Sequence, residues 1–257
     1  MQTEKVIDYI VNWLLEYCDN AGMNGFVVGI SGGIDSAVTS TLCAKTGKRV
    51  IPLNMPIYQP EEQKSLASEH IAWLQDHYFQ VQGVSIDLTP AFQALENTYP
   101  GHIQDELTMA NTRSRLRMTT LYAYASHNNM LVTGTGNKVE DFGVGFFTKY
   151  GDGGVDIAPI ADLMKTEVYA IGKKLGILAD ILYAKPTDGL WRDNRSDEDQ
   201  LGATYPELEW AMQFEGSEET GLTPREKQVL GLYRQLHSRN LHKMQSIPVA
   251  TIPKELH

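Results

Sequence analysis

Cysteine is almost missing from this 257-residue chain: Cys18 and Cys43 are the only two. No C-x-x-C pair exists, which excludes the usual zinc ribbons and dithiol redox centres. Both thiols are expected as small buried apolar side chains. Long hydrophobic runs are missing too. The longest, residues 121–125, falls far short of the roughly 18 that a membrane-spanning helix requires. Positive charge is scarce, with 22 Lys and Arg against 32 Asp and Glu, a formal net charge of −10. A general duplex-binding protein, whose affinity comes from a cationic phosphate-facing surface, is thereby disfavoured. Two familiar nucleotide motifs are also lacking: no G-x-x-x-x-G-K-[ST] and no complete G-x-G-x-x-G occurs. What remains is an ordinary globular composition, 42% hydrophobic and 21% charged, long enough to bury a real core. The first helix carries Glu4, Lys5, Asp8 and Glu16, which reads as an amphipathic helix and not a signal peptide. The cytoplasm is the expected compartment.

Apolar spacing organises the rest. Val6, Ile7, Ile10, Val11, Leu14 and Leu15 form one helical stripe over residues 4–18. Short apolar runs at 26–30, 49–53, within 79–87 and at 130–133 read as strands. Helical patterns at 37–45, 61–77, 112–126 and 166–175 lie between and after them, two of these followed by Gly47 and Gly176. Strands alternating with helices of about ten residues predict an α/β fold: a doubly wound, mostly parallel sheet with helices on both faces. Ligands then bind beyond the carboxyl ends of the strands, so the loops after Ile30, Leu53, Asp87 and Val132 should share one crevice. Residues 193–219 hold nine acids and one base, while 225–257 hold six bases and two acids. Charge alone favours a solvated loop and a solvated tail there.

One segment carries chemistry. Between the first strand and the next helix stand Gly29, Ile30, Ser31, Gly32, Gly33, Ile34, Asp35 and Ser36. Adjacent glycines let backbone N–H groups turn toward one point. The two serines add hydroxyls, and the helix start offers unpaired N–H groups and positive potential. Such a loop suits a pyrophosphate. Asp35 does not, unless a cation such as Mg²⁺ bridges its carboxylate and the phosphate oxygens.

Ser31-Gly-Gly-Ile-Asp-Ser36 is similar to the pyrophosphate loop of the N-type ATP pyrophosphatases, whose fold is adenine nucleotide alpha hydrolase-like and Rossmann-like. Further blocks narrow this down. Gly145-Phe-Phe-Thr-Lys-Tyr-Gly-Asp-Gly-Gly154 with Asp156 and Pro159, then Lys185-Pro-Thr-Asp-Gly-Leu-Trp191, Asp197-Glu-Asp199 and Leu201-Gly-x-x-Tyr205, resemble the ammonia-dependent NAD synthetases. The resemblance runs over nearly the whole chain. It implies an ATP-dependent ligase that adenylates the carboxylate of deamido-NAD, releases pyrophosphate and admits ammonia, leaving NAD and AMP. It also implies that residues 29–36, Thr135, Lys165 and Thr187 hold ATP, and that Asp35 and Glu140 bind Mg²⁺. Arg115, Lys149, Asp156, His242 and Lys243 would hold deamido-NAD. Between Glu140 and Gly145 the chain has one residue more than many members' pattern, so Asp141 competes with Glu140 for the metal. Glu140, five residues after Thr135, is preferred.

A tRNA thiolase would need better-placed cysteines, and a glutamine-dependent synthetase a glutaminase domain for which 257 residues leave no room. A single synthetase domain using free ammonia is therefore expected, as a homodimer like other members, with no nucleic-acid or membrane partner. A nonenzymatic nucleotide-binding or electron-transfer module is disfavoured by Asp35, a second metal carboxylate and Lys165 together.

Overall fold

The computed structural model describes residues 1–59, 61–184, 196–216 and 221–257. Its elements are α1 (Thr3–Asn20), β1 (Gly25–Gly29), α2 (Ile34–Lys45), β2 (Arg49–Asn54), α3 (Glu61–His77), β3 (Val84–Ser85), α4 (Thr89–Thr98), α5 (Glu106–Asn128), β4 (Leu131–Thr133), α6 (Lys165–Leu175), α7 (Ala179–Leu182), α8 (Asp197–Leu201), α9 (Tyr205–Gln213) and α10 (Pro224–Met244), with a π-helical turn over Lys138–Val144. The described strands form one parallel sheet in the order β3-β2-β1-β4.

Period-two side-chain alternation in β1 explains both layers. Phe26 and Val28 point into a core shared with α1, α2, α3 and α6, whereas Val27 points the other way, toward α4 and α5. The chain first winds from β1 outward through β2 to β3, then crosses back to β4 on the other side of β1. That reversal leaves a crevice beyond the carboxyl ends of β1 and β4, where such sheets bind ligands.

The strand expected within residues 79–87 is Val84–Ser85, with an isolated bridge between Val81 and Val50. One expectation needs correcting: the acidic stretch and basic tail are not simply solvated. Over their described parts, α8, α9 and α10 close a third core with the π-helical turn, burying Val144, Leu201, Tyr205, Leu208, Ala211, Val229 and Leu230. Acid counting misses this because the apolar residues recur at helical spacing while several acids sit at helix starts. Ser196 with Asp199, Thr204 with Glu207 and Thr223 with Glu226 each close a capping box. Glu207 also takes Arg225 at 2.7 Å.

Behind the first turns of α2, His70 of α3 is wholly buried, with Nε2 2.9 Å from Ser40 Oγ. Since that hydroxyl donates to the Ser36 carbonyl at 2.7 Å, His70 is the donor in the pair. Burial pushes its pKa down to about 4. The unfolded ring titrates near 6.5, so below that pH the unfolded state binds a proton that the native state refuses. Stability should therefore fall by about 2 kcal/mol between pH 7 and pH 5 from this group alone. Urea melts of the protein and of His70→Gln check this: the variant should lose less stability across the same interval.

Candidate active site

Beyond the strand ends lies a cleft of about 850 Å³, lined by residues 29–36, by Met55 after β2, by residues 133–136 after β4, by one face of α5 and by the inner side of α10. Three of the four expected loops meet there. The loop after Asp87 does not, because Asp87 turns back to cap Thr89 N–H at 2.9 Å.

The phosphate-type loop is held by its own serines. Ser36 Oγ donates to the Gly33 carbonyl at 2.9 Å, and Ser31 Oγ accepts the Gly33 N–H at 3.2 Å. Gly32 has φ +87°, a conformation that L side chains rarely adopt. Helix α2 begins at Ile34, so Asp35 and Ser36 stand in its first turn, where backbone N–H groups have no intrahelical acceptor.

Three charged side chains meet beside this loop. Lys165, the first residue of α6, places Nζ 2.5 Å from Asp35 Oδ2 and 2.9 Å from Glu140 Oε1, with only 3% of its side chain exposed. Burial works against its charge, but the two carboxylates outweigh that and raise its pKa. Burial raises Asp35, with the neighbouring Glu140 charge adding to it against the pull of Lys165. Burial also acts on Glu140, yet Lys165 and the Tyr205 hydroxyl overcome it and hold this carboxyl below its ordinary value.

Two residues that sequence reasoning did not assign hold the group in place. Asn137, fully buried, accepts the Val139 and Glu140 N–H groups at 3.1 Å and donates to Asp35 Oδ1 at 3.1 Å. It caps the π-helical turn and ties it to α2 in one move. Its signal in the sequence was its place as an Asn three residues before Glu140, an N-cap arrangement. Tyr205 of α9 donates to Glu140 Oε1 at 2.6 Å, and its ring lies 4.7 Å from Lys165 Nζ.

Residues Lys138–Val144 form a π-helical turn, which spends more residues per turn than an α-helix. Glu140, and not Asp141, joins Lys165 and Asp35. Asp141 instead leans over Gly136, where any Cβ would collide with its carboxyl. Burial, then Asp152, Glu140 and Asp35, raise its pKa well above the usual range.

The other expected site residues divide. Thr135, Arg115, Lys149, His242 and Lys243 all line the cleft. Arg115 donates to the Lys149 carbonyl at 3.3 Å, Lys149 Nζ to the His242 carbonyl at 2.8 Å and Lys243 Nζ to the Phe147 carbonyl at 2.7 Å. Asp156 does not line it. Its carboxylate accepts the Val132 N–H at 2.8 Å and the Tyr122 hydroxyl at 3.0 Å at the exposed margin of the sheet. Thr187 and the 185–191 block lie outside the described residues. Cys18 and Cys43 are buried in the core away from the cleft, and burial pushes the Cys43 thiol up to about 12. Neither is placed to act as a nucleophile.

With this geometry in view, comparison with known proteins is decisive: the NAD synthase family model matches residues 6–246. The chain belongs to the NAD synthase family. It is 38% identical over 260 residues to the NH(3)-dependent NAD(+) synthetase of Methanosarcina acetivorans, covering 97% of this chain and 98% of that one. Among solved structures, the NMN synthetase of Francisella tularensis superposes with a TM-score of 0.85 at 33% identity, covering 99% of both chains. The NH3-dependent NAD synthetase of Campylobacter jejuni, at 24% identity and a TM-score of 0.79, shares the fold. No helix among the described residues is long and apolar enough to cross a membrane.

Proposed function

We propose that this NAD synthase family member joins ammonia to the carboxylate of a nicotinate nucleotide, deamido-NAD, driven by cleavage of ATP to AMP and pyrophosphate. The observation that carries this is one cleft that brings together the glycine loop with Asp35, Glu140 and Lys165 and a wall of cations, Arg115, Lys149 and Lys243, whose donors meet backbone carbonyls. The first suits a metal-bound triphosphate, the second an anionic nucleotide whose carboxylate must reach the α-phosphate.

Carboxylate oxygens are the donors that a hard cation such as Mg²⁺ prefers. No cluster of three or more acids, histidines or cysteines could hold a metal alone among the described residues. Two carboxylates completed by substrate phosphates is the usual Mg²⁺ arrangement, so Asp35 and Glu140 fit it. Bound there, the ion would neutralise phosphate charge. The chain's own groups do the rest. Loop N–H groups, Lys165 and Thr135 orient the triphosphate, and Thr187 is assigned to its phosphates by resemblance. Arg115, Lys149, His242 and Lys243 are assigned to the nucleotide that carries the carboxylate. The substrate carboxylate oxygen attacks the α-phosphorus and pyrophosphate leaves. Ammonia then adds to the acyl carbon and AMP departs with that oxygen. Positioning and charge neutralisation provide the rate, with no protein nucleophile.

Residues 1–257 act in this scheme as a synthetase domain fed by free ammonia, as a cytoplasmic homodimer without nucleic-acid or membrane partners. The name of the Francisella structure favours a second substrate, the nicotinate mononucleotide.

The test is a product assay with ATP, Mg²⁺, ammonium and deamido-NAD. AMP, pyrophosphate and NAD are expected; ADP and inorganic phosphate would overturn the adenylation scheme. Lys149→Ala should raise KM for deamido-NAD about tenfold, the loss of one charged contact, while KM for ATP stays within about twofold. Equal shifts in steady-state kinetics would remove Lys149 from the nucleotide wall.

A further inference from the structure

One acid of the stretch 193–219 grips the chain next to Lys165 from outside the cleft. Glu209, half-buried on α9, accepts the Thr166 backbone N–H at 2.8 Å with one carboxylate oxygen and the Thr166 hydroxyl at 2.7 Å with the other. Thr166 is the second residue of α6 and follows Lys165 directly. Its N–H belongs to the first turn, where no intrahelical carbonyl is in reach. Met164, in the capping position, has no side-chain oxygen to offer. Glu209 supplies the missing acceptor from 43 positions away, and its charge suits the positive end of α6.

Lys165 needs such a hold. A lysine carries a compact charge on a flexible four-carbon stem, yet this ammonium sits between two carboxylates with 3% of its side chain exposed. Its backbone is placed by what lies on either side. Among the described residues, 158–164 form no helix or strand. A bond from the Lys138 N–H to the Leu163 carbonyl at 2.8 Å ties them to the π-helical turn that carries Glu140. On the other side stands α9, itself anchored by Leu208 and Ala211 in the third core. Tyr205 and Glu209 are four residues apart on α9 and share a face. Tyr205 holds Glu140 at 2.6 Å, and Glu209 holds Thr166. One helix face thus fixes a carboxylate partner of the ammonium and the backbone that delivers the ammonium.

We propose that Glu209 is a positioning residue for phosphoryl transfer: by capping Thr166 it sets where α6 begins, and so where the Lys165 ammonium meets the ATP phosphates. This rests on the amidation scheme above, which gives Lys165 to the triphosphate. It adds a residue outside the cleft that touches neither substrate nor the reacting atoms. A displacement of about an ångström at such a site can cost about a hundredfold in rate. Loss of the cap should therefore appear in turnover and not only in stability.

The experiment measures kcat and both KM values with ATP, Mg²⁺, ammonium and deamido-NAD, each protein being assayed well below its melting temperature. Glu209→Ala is expected to lower kcat about thirtyfold while KM for deamido-NAD stays within about twofold. Thr166→Val, which loses the hydroxyl bond and keeps the N–H one, is expected to lower kcat about threefold. Glu209→Gln is expected to return kcat to within about threefold of wild type, because its amide oxygen accepts the N–H and its amide nitrogen donates to the hydroxyl. Thr223→Ala removes a comparable cap at the start of α10. It is expected to lower the melting temperature as Glu209→Ala does and to leave kcat within about twofold. Wild-type kcat in both Glu209→Ala and Thr166→Val would make the cap purely structural and overturn the inference. So would a glutamine that fails to rescue, or a loss of kcat in Thr223→Ala as large as in Glu209→Ala. A wild type that forms no AMP, pyrophosphate and NAD overturns the amidation scheme, and the inference falls with it.

Discussion

Lys165→Met should cost about 3–5 kcal/mol of stability at neutral pH, the usual penalty for removing one partner of a buried ion pair. For a chain of this size that corresponds to a melting temperature lower by about 10 °C. The reason is geometric. The Lys165 ammonium is the shared partner of Asp35 and Glu140, whose side chains are 17% and 16% exposed. A methionine of similar length fills the space but leaves two facing carboxylates in a poorly hydrated site. The pH dependence has a definite sign. Without the ammonium, both carboxyls titrate in the native state above their unfolded values, so the variant loses stability as pH rises and regains it as pH falls. In the wild type the raised Lys165 pKa keeps the pair intact throughout the neutral range. Denaturation at pH 5.5 and pH 8 measures this: the deficit should be larger at pH 8. Added Mg²⁺ should recover part of it, because a divalent cation can replace the missing charge. The same deficit at both pH values would mean that Lys165 does not neutralise the pair.

Asp35→Ala should abolish turnover, by about 10³-fold or more, while leaving the fold intact. A preorganised charged group at a phosphoryl-transfer site is worth roughly this much. The fold survives for two reasons. Lys165 keeps Glu140 at 2.9 Å and the Tyr205 ring at 4.7 Å. Removing Asp35 also relieves the burial that raises its own pKa. The pair of substitutions therefore separates two roles: Lys165 serves structure and site together, whereas Asp35 serves the site. Activity within tenfold of wild type, in protein whose melting curve is unchanged, would remove Asp35 from the metal and phosphate assignments.

Local chemistry made part of this site legible in the sequence. A strand running into Gly32 and Gly33 and then a helix start is a short-range pattern, and it appears where expected, with α2 starting at Ile34 and not Ala37. The four strands were visible as apolar runs, although Val84–Ser85 is much shorter than its run because α4 follows at once. Long-range pairings were not legible. Asn137 meets Asp35 across 102 positions, and Tyr205 meets Glu140 across 65, and nothing in spacing encodes such meetings. Helices α8, α9 and α10 were hidden because charge dominates their composition while their buried residues are few and well separated. Asp156 shows the opposite error. A motif neighbour of Lys149, it ends at the exposed margin of β4 with Tyr122 and not in the cleft. The turn between them, with Tyr150 at φ +62° and Gly151 packed on Ser114, carries the two side chains apart.

The central claim is that a nicotinate carboxylate oxygen becomes bonded to the α-phosphorus of ATP beside the glycine loop. Deamido-NAD labelled with ¹⁸O in its carboxylate tests this directly, by mass spectrometry of the products after turnover with ATP, Mg²⁺ and ammonium. One ¹⁸O is expected in AMP and none in pyrophosphate. Label recovered in inorganic phosphate, with ADP as the coproduct, would contradict it.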